Sequence, residues 1–227
     1  MKKTVFLVVA TVLISSIQVQ AQRGFYGRPV RLGFKADPVF LNNLRPIENG
    51  VEKNGSKFGI NYGLMADVML ADGRGAFATG LEVAHVGASL KYSKNGLYGA
   101  GDYDMHLQYL QIPLSIKLKT NSFEGIRWWG QFGTYLGALL RSRVDYDPAS
   151  SSSLSPAVSN VNILSKTNKA NLGLIMGAGG EMRIAERTDL FFGLGFENGF
   201  TDITTNKNWS DGKVSLNRWA IRLGLFF

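Results

Sequence analysis

The chain has 227 residues, with 25 Lys and Arg against 17 Asp and Glu, 27 glycines, six prolines, two histidines and no cysteine. That length suits one domain with a sizeable core, and a charged fraction of 19% with so little proline excludes a disordered bulk. The missing cysteines remove disulfides, thiolate metal sites and a cysteine nucleophile, and two imidazoles cannot build a multi-histidine centre, so neither cofactor nor metal is expected.

The first residues, Met1-Lys2-Lys3, an apolar stretch from Val5 to Ile14 and Val19-Gln20-Ala21, have the three-part layout of a secretory signal peptide. Residues 1–21 are expected to be cleaved, leaving 22–227 as one domain; Ser15, Ser16 and Gln18 interrupt the apolar run too early for a spanning helix of about 20 residues. The remaining basic side chains are scattered singly from Arg23 to Arg222 instead of forming a stripe, which argues against nucleic acid. Anionic lipid and lipopolysaccharide phosphates suit the modest positive excess better.

Beyond the leader the recurring pattern has period two. Eight candidate strands follow in chain order at about 29–40, 57–70, 76–92, 104–119, 127–144, 168–184, 189–200 and 214–227. The connections at 41–56, 93–103, 145–167 and 201–213 are long, and those at 71–75, 120–126 and 185–188 are short. Strict alternation of long and short connections predicts an all-β fold: an eight-stranded antiparallel up-and-down transmembrane β-barrel with short periplasmic turns and longer extracellular loops. Pro113 inside a strand predicts a bulge or a local break in the ladder.

Large apolar residues take one face of each strand and glycines with charged residues take the other. Four or so bulky residues per strand would overfill an eight-stranded lumen, so the apolar face is assigned to lipid. The predicted polar interior is Arg31, Lys35, Asp67, Glu82, Lys117, Arg141, Arg143, Glu181, Arg183, Glu197 and Arg222, a mixed-charge plug packed between glycines. Aromatics are expected in two interface belts. Phe25, Tyr26, Phe77, Trp128, Trp129, Phe191 and Phe192 lie toward the short turns, and Phe40, Phe58, Tyr92, Tyr103, Tyr146, Phe200 and Trp209 toward the long loops, with Trp219 on the lipid face of the last strand.

The closing Leu223-Gly224-Leu225-Phe226-Phe227 resembles the terminal strand of bacterial outer-membrane barrels, which implies that Phe227 is read by the barrel-assembly machinery. A wider likeness is carried by Arg31-Leu32-Gly33-Phe34-Lys35-Ala36 with Pro38, Tyr62-Gly63-Leu64, Thr79-Gly80-Leu81-Glu82 and Gly130-Gln131-Phe132-Gly133. Its most specific element is Tyr109-Leu110-Gln111-Ile112-Pro113-Leu114-Ser115-Ile116-Lys117-Leu118-Lys119. Together these resemble the PorT-like outer-membrane β-barrel proteins of the Bacteroidetes, across essentially the whole mature chain. The resemblance implies an outer-membrane location and, for some members, an accessory part in type IX protein secretion with secretion-system components as partners.

Candidate chemistry is sparse. Gly177-Ala178-Gly179-Gly180 continues as a strand and reads as lumen packing, not as a phosphate loop. His106 with Ser89 or Ser115 and Glu82 does not place nucleophile, base and acid at one depth on one face, so no enzyme is expected. Loop 145–167 reads as solvated rim, and Lys53, Lys57, Lys91, Lys94, Lys166, Lys169, Lys207 and Lys213 form a rim able to meet lipopolysaccharide phosphates. A closed non-enzymatic barrel is the expectation. The alternative class is a structural or adhesive envelope barrel that binds through its extracellular loops; diffusive transport is opposed by the charges assigned to the lumen.

Overall fold

A computed structural model describes residues 30–47, 50–70, 73–93, 96–149, 156–205, 209 and 213–227. The leader, Phe25, Tyr26, Lys94 and Lys207 lie outside the described residues. Among the described residues there are ten strands: β1 (Val30–Pro46), β2 (Val51–Ser56), β3 (Gly59–Met69), β4 (Gly75–Tyr92), β5 (Gly101–Lys119), β6 (Ile126–Pro148), β7 (Val158–Asn162), β8 (Ala170–Ala185), β9 (Thr188–Gly199) and β10 (Val214–Phe226). The eight predicted strands all appear. Two more lie in the segments expected as long connections: past breaks at Lys57-Phe58 and over 163–169, β2 extends the line of β3 along β4, and β7 that of β8 along β6.

Every neighbouring pair is antiparallel, and β1 pairs with β10 from Gly33↔Phe226 to Pro46↔Val214, which closes the eight-stranded barrel. Closure removes the unpaired edges that a hydrocarbon environment would penalise. The short turns follow from local chemistry. Gly73 holds φ +70 after β3, where its N–H donates to the Leu70 carbonyl, and Gly125 holds φ +83 before β6.

A tilted spanning strand needs about 9–11 residues. Strands β4, β5 and β6 have 18, 19 and 23, so this wall rises well above a bilayer at the long-loop end. Much of what the sequence suggested as long loop at 41–56 is therefore strand, carried by the upper part of β1 and by β2. At Pro113 the β4–β5 ladder skips from Thr79↔Leu114 to Glu82↔Gln111 with the register unchanged, so the proline makes a local break and no bulge. The bulge lies elsewhere: Gln108 pairs with Arg141 and Tyr109 with Leu139, leaving Leu140 as the extra residue of β6.

Candidate functional site

Inward-facing side chains fill the lumen in three layers. Nearest the short turns, Lys117 Nζ reaches Asp67 at 2.8 Å, Lys119 Nζ reaches Asp67 at 3.0 Å and Glu181 at 2.9 Å, and Arg31 reaches Glu181 at 2.8 Å. Three guanidiniums then converge on one carboxylate: Arg31, Arg127 and Arg183 lie 2.7, 3.1 and 2.9 Å from Asp189. Trp129 stacks on Phe191 at 4.6 Å between centroids, Phe226 meets Phe191 edge-on, and the Lys117 ammonium sits 4.8 Å and 4.9 Å from the Phe191 and Phe226 rings.

Room for Trp129 comes from glycine. A Cβ on Gly193 of β9 would meet the indole Cζ2 at 2.7 Å, and on Gly177 and Gly179 of β8 it would meet Cζ3 at 3.2 Å and Cζ2 at 2.8 Å, so these two glycines of the β8 stretch are lumen packing, whereas Gly180 faces outward against the Phe192 ring.

The middle layer is a second network, in which Lys35 bridges Asp37 at 3.0 Å and pairs with Glu82, while Arg218 holds Glu197 and Gln111. Arg222 lies 3.9 Å from Glu197. These ions are buried, and three cations face three anions. Removing one partner of such a set costs far more than an exposed pair contributes, because the other charge is left in a low-dielectric lumen.

Above the ions the lumen turns apolar. Leu44, Val86, Leu90, Met105, Leu107, Val144, Ile203 and Leu216 pack with Tyr92, Tyr103, Tyr146 and Trp209 into one buried cluster. Tyr103 is its hub, 4.9 Å from the Tyr92 ring, 4.8 Å from Tyr146 and 5.5 Å from Trp209. Polar tips are satisfied at the rim: Trp209 Nε1 donates to the Lys166 carbonyl and the Tyr103 hydroxyl to that of Gly99, each at 2.8 Å. Burial pushes the Tyr103 hydroxyl well above its ordinary pKa.

The outer face changes at the same height. Along β5, Leu118, Ile116, Leu114, Ile112 and Leu110 point outward, followed by Gln108, His106, Asp104 and Asp102. On this polar wall Lys57 Nζ lies 2.8 Å from Asp104, which also accepts from Ser89, and His106 Nε2 lies 3.4 Å from Asp145. Asp145 further accepts the Asn160 N–H at 2.6 Å and the Ser159 hydroxyl at 2.8 Å, which docks β7. Asn160 adopts φ 58, a conformation asparagine tolerates, to present that N–H.

The Asn160 N–H, opposed by slight burial and helped by Ser159, holds the Asp145 carboxyl below its ordinary pKa. Burial alone would raise Asp104, but Lys57 and Ser89 outweigh it and hold that carboxyl low as well.

Of the predicted interior, Arg31, Lys35, Asp67, Glu82, Lys117, Glu181, Glu197 and Arg222 do face the lumen. Arg141 and Arg143 do not. The extra Leu140 reverses the alternation, so Ser142, Val144 and Tyr146 turn inward while Arg141 is exposed and Arg143 donates to Asn160 outside at 2.6 Å. Arg183 sits at the mouth, its side chain 63% exposed, and touches the interior only through Asp189. Asp37, Lys119, Arg127, Asp189 and Arg218 complete the networks without having been selected from sequence. Asp37 and Arg218 share the parity of Lys35 and Arg222, which was a usable signal.

The belts are corrected too. Trp128, Phe192 and Trp219 face outward, joined by Phe40, Phe58 and Phe200 toward the long loops. Trp209, at 0% exposure, with Tyr92, Tyr103 and Tyr146, fills the upper lumen, and Trp129 and Phe191 fill the lower one. Phe227 follows β10 directly and is half-exposed, its N–H on the Leu32 carbonyl at 2.9 Å and its ring beside Phe34.

Glu82 and Ser115 lie inside while His106 and Ser89 lie on the outer wall, so the imagined hydrolytic set is not assembled. Among the described residues no three His, Asp or Glu side chains could hold a metal ion.

A family model described as "Outer membrane protein beta-barrel domain" matches residues 18–205. No curated protein matches the chain. Similar solved structures include Neisserial surface protein A (12% identity, 88% of this chain and 96% of that one, TM-score 0.46). Another is OprG of Pseudomonas aeruginosa (15%, 87% and 92%, TM-score 0.44). A third is Ail of Yersinia pestis, solved with the heparin analogue sucrose octasulfate (12%, 87% and 97%, TM-score 0.39).

Proposed function

Because the chain belongs to the outer membrane protein β-barrel domain family, and so is an outer-membrane barrel, we propose that it works by contact at its raised long-loop end and not by passing solute. The observation that carries this is the doubly plugged lumen beneath a packed, polar-coated extension: two ion networks are followed by an aromatic core, all within one barrel. The polar wall of Lys57, Ser89, Asp104, His106, Arg143 and Asp145 is the contact surface, exposed to the outside on a rigid strand frame. In this reading residues 1–21 are removed as a signal peptide, the short turns face the periplasm, and Phe227 serves barrel assembly.

The partner, following the PorT-like strand Tyr109–Lys119, is a component of type IX secretion. A gene deletion tests this by comparing proteins in the culture supernatant and in the periplasm while the envelope stays intact. Cargo trapped in the periplasm is the expected result. An unchanged supernatant contradicts the secretion partner and supports adhesion to lipopolysaccharide or host components instead.

Replacing Asp104, His106 and Asp145 together by Ala then asks whether the wall makes the contact. Exchange of residues 145–165 is a poorer test, since Tyr146 and Ile163 belong to the upper core. Sizeable single-channel conductance of the purified barrel would overturn the closed-lumen reading.

A further inference from the structure

Two features at the short-turn end stand apart from the contact wall. The first is charge. The middle network balances, but at the mouth Arg31, Lys117, Lys119, Arg127 and Arg183 face only Asp67, Glu181 and Asp189 among the inward-facing described residues. The two surplus positive charges fall on the most exposed members, Arg127 and Arg183, with side chains 33% and 63% exposed. Arg183 engages Asp189 through Nε and Arg127 through Nη2, so both keep guanidinium N–H groups that no described residue takes up.

The second feature lies on the outer face of the same two strands. Trp128 of β6 and Gly180 of β8 are paired, and Trp128, 49% exposed, marks the interface depth where indoles meet headgroups. Two residues deeper, Gly130 pairs with Ala178 and floors an apolar hollow of about 640 Å³ walled by Leu118, Phe132, Met176 and Leu194. A Cβ on Gly130 would meet nothing within 4 Å. The wall is thus dented where its neighbours carry bulky side chains.

We propose that this end of the β6–β8 seam holds a phospholipid, with its phosphate against Arg127 and Arg183 and one acyl chain lying over Gly130 and Ala178. Arginine presents paired N–H donors that match phosphate oxygens, and one anionic headgroup offsets one of the two surplus charges. From Arg127 to Gly130 is three strand residues, about 10 Å at roughly 3.3 Å each; the odd spacing puts Arg127 on the mouth side and Gly130 on the lipid side of the wall, so the lipid bends over the rim at Ile126 and Met182, where the seam ends one pair beyond Arg127 and Glu181. The site does not depend on which partner meets the long-loop end.

Native mass spectrometry of the purified full chain in detergent, titrated with phosphatidylglycerol, diacylglycerol or inorganic phosphate, tests it. Phosphatidylglycerol should bind, and Arg127→Gln with Arg183→Gln should weaken it by about tenfold or more. Gly130→Leu should weaken it comparably by filling the hollow, and neither diacylglycerol nor inorganic phosphate should bind as tightly.

Unchanged affinity in either variant overturns the two-part site. Inorganic phosphate bound as tightly as the lipid makes it a free-anion site, and diacylglycerol bound as tightly removes the arginines from it; each overturns the proposal. Heat-dependent gel migration confirms that variants fold, and Ala178→Leu replaces Gly130→Leu if that one does not.

Discussion

The lower and upper halves of the barrel obey opposite rules on the same strands. Toward the short turns the outside is Leu, Ile, Phe and Trp and the inside is ionic. Toward the long loops the inside is Leu, Val, Tyr and Trp and the outside carries Lys, Asp, His and Ser.

Strand β5 shows the change without any bulge of its own: odd positions point inward throughout, yet they run Lys119, Lys117, Ser115, Gln111 below and Tyr109, Leu107, Met105, Tyr103 above. Its solvent changes partway along, from lipid to water. Below that height apolar side chains are driven outward into hydrocarbon, and above it the hydrophobic effect drives them inward as in a soluble protein.

Lysine placed at three positions of β5 gives the strongest test of that boundary. Leu107→Lys buries an unpaired ammonium in the upper core and should cost about 4–5 kcal/mol. Leu114→Lys lies midway along the lipid-facing run and should cost about 2–3 kcal/mol, and Gln108→Lys, on the wetted wall, should stay within about 0.5 kcal/mol. Denaturant titration of refolding into phospholipid vesicles reads all three; equal costs at 108 and 114 would move the boundary downward.

Asp67→Asn comes next, at about 3–4 kcal/mol, because Lys117 and Lys119 lose their shared carboxylate inside the membrane-embedded half. Trp209→Ala should cost about 3 kcal/mol through the cavity it leaves, and the loss should stay local. Amide exchange at Tyr92 and Tyr103 should accelerate while that at Ile116 does not; acceleration at both would mean that the halves are one cooperative unit.

The smallest effect is acid release of β7. Because the Asp145 carboxyl is depressed in the folded state, its contribution is complete above the ordinary aspartate pKa of 3.8 and is lost as pH falls below that value. Solvent screening keeps it under about 1 kcal/mol. Lower protection of the Val158–Asn162 amides at pH 3 than at pH 6, once each rate is divided by the intrinsic exchange rate at its pH, with the protection of β8 unchanged, is the expected reading.

Period two and the alternation of connection lengths made the eight strands legible in the sequence, and the lower lumen followed from parity at Arg31, Lys35, Asp67, Lys117 and Glu181. Parity failed at Arg141 and Arg143 because one extra residue, Leu140, flips everything beyond it, and nothing in the local sequence marks it. The aromatics failed for another reason. Nearness to the long loops places Tyr92, Tyr103, Tyr146 and Trp209 in an interface belt, although the change from Leu110 to Gln108, His106 and Asp104 on the other face of β5 already carries the inversion. Asp189, the second residue of β9, shares the inward parity of Glu197, but it lies at the strand's end, where strand and short turn are hardest to separate in sequence.

The absence of cysteine from the whole sequence makes the inversion directly measurable. Single cysteines at Asp104, Leu107 and Leu118 in native outer membranes should respond to three different environments. Asp104→Cys should be labelled by a membrane-impermeant maleimide, Leu118→Cys should be reached only by a lipid-soluble reagent, and Leu107→Cys should be protected from both. Water labelling at 107 together with lipid labelling at 104 would contradict the account, because it would place one rule, not two, along the length of β5.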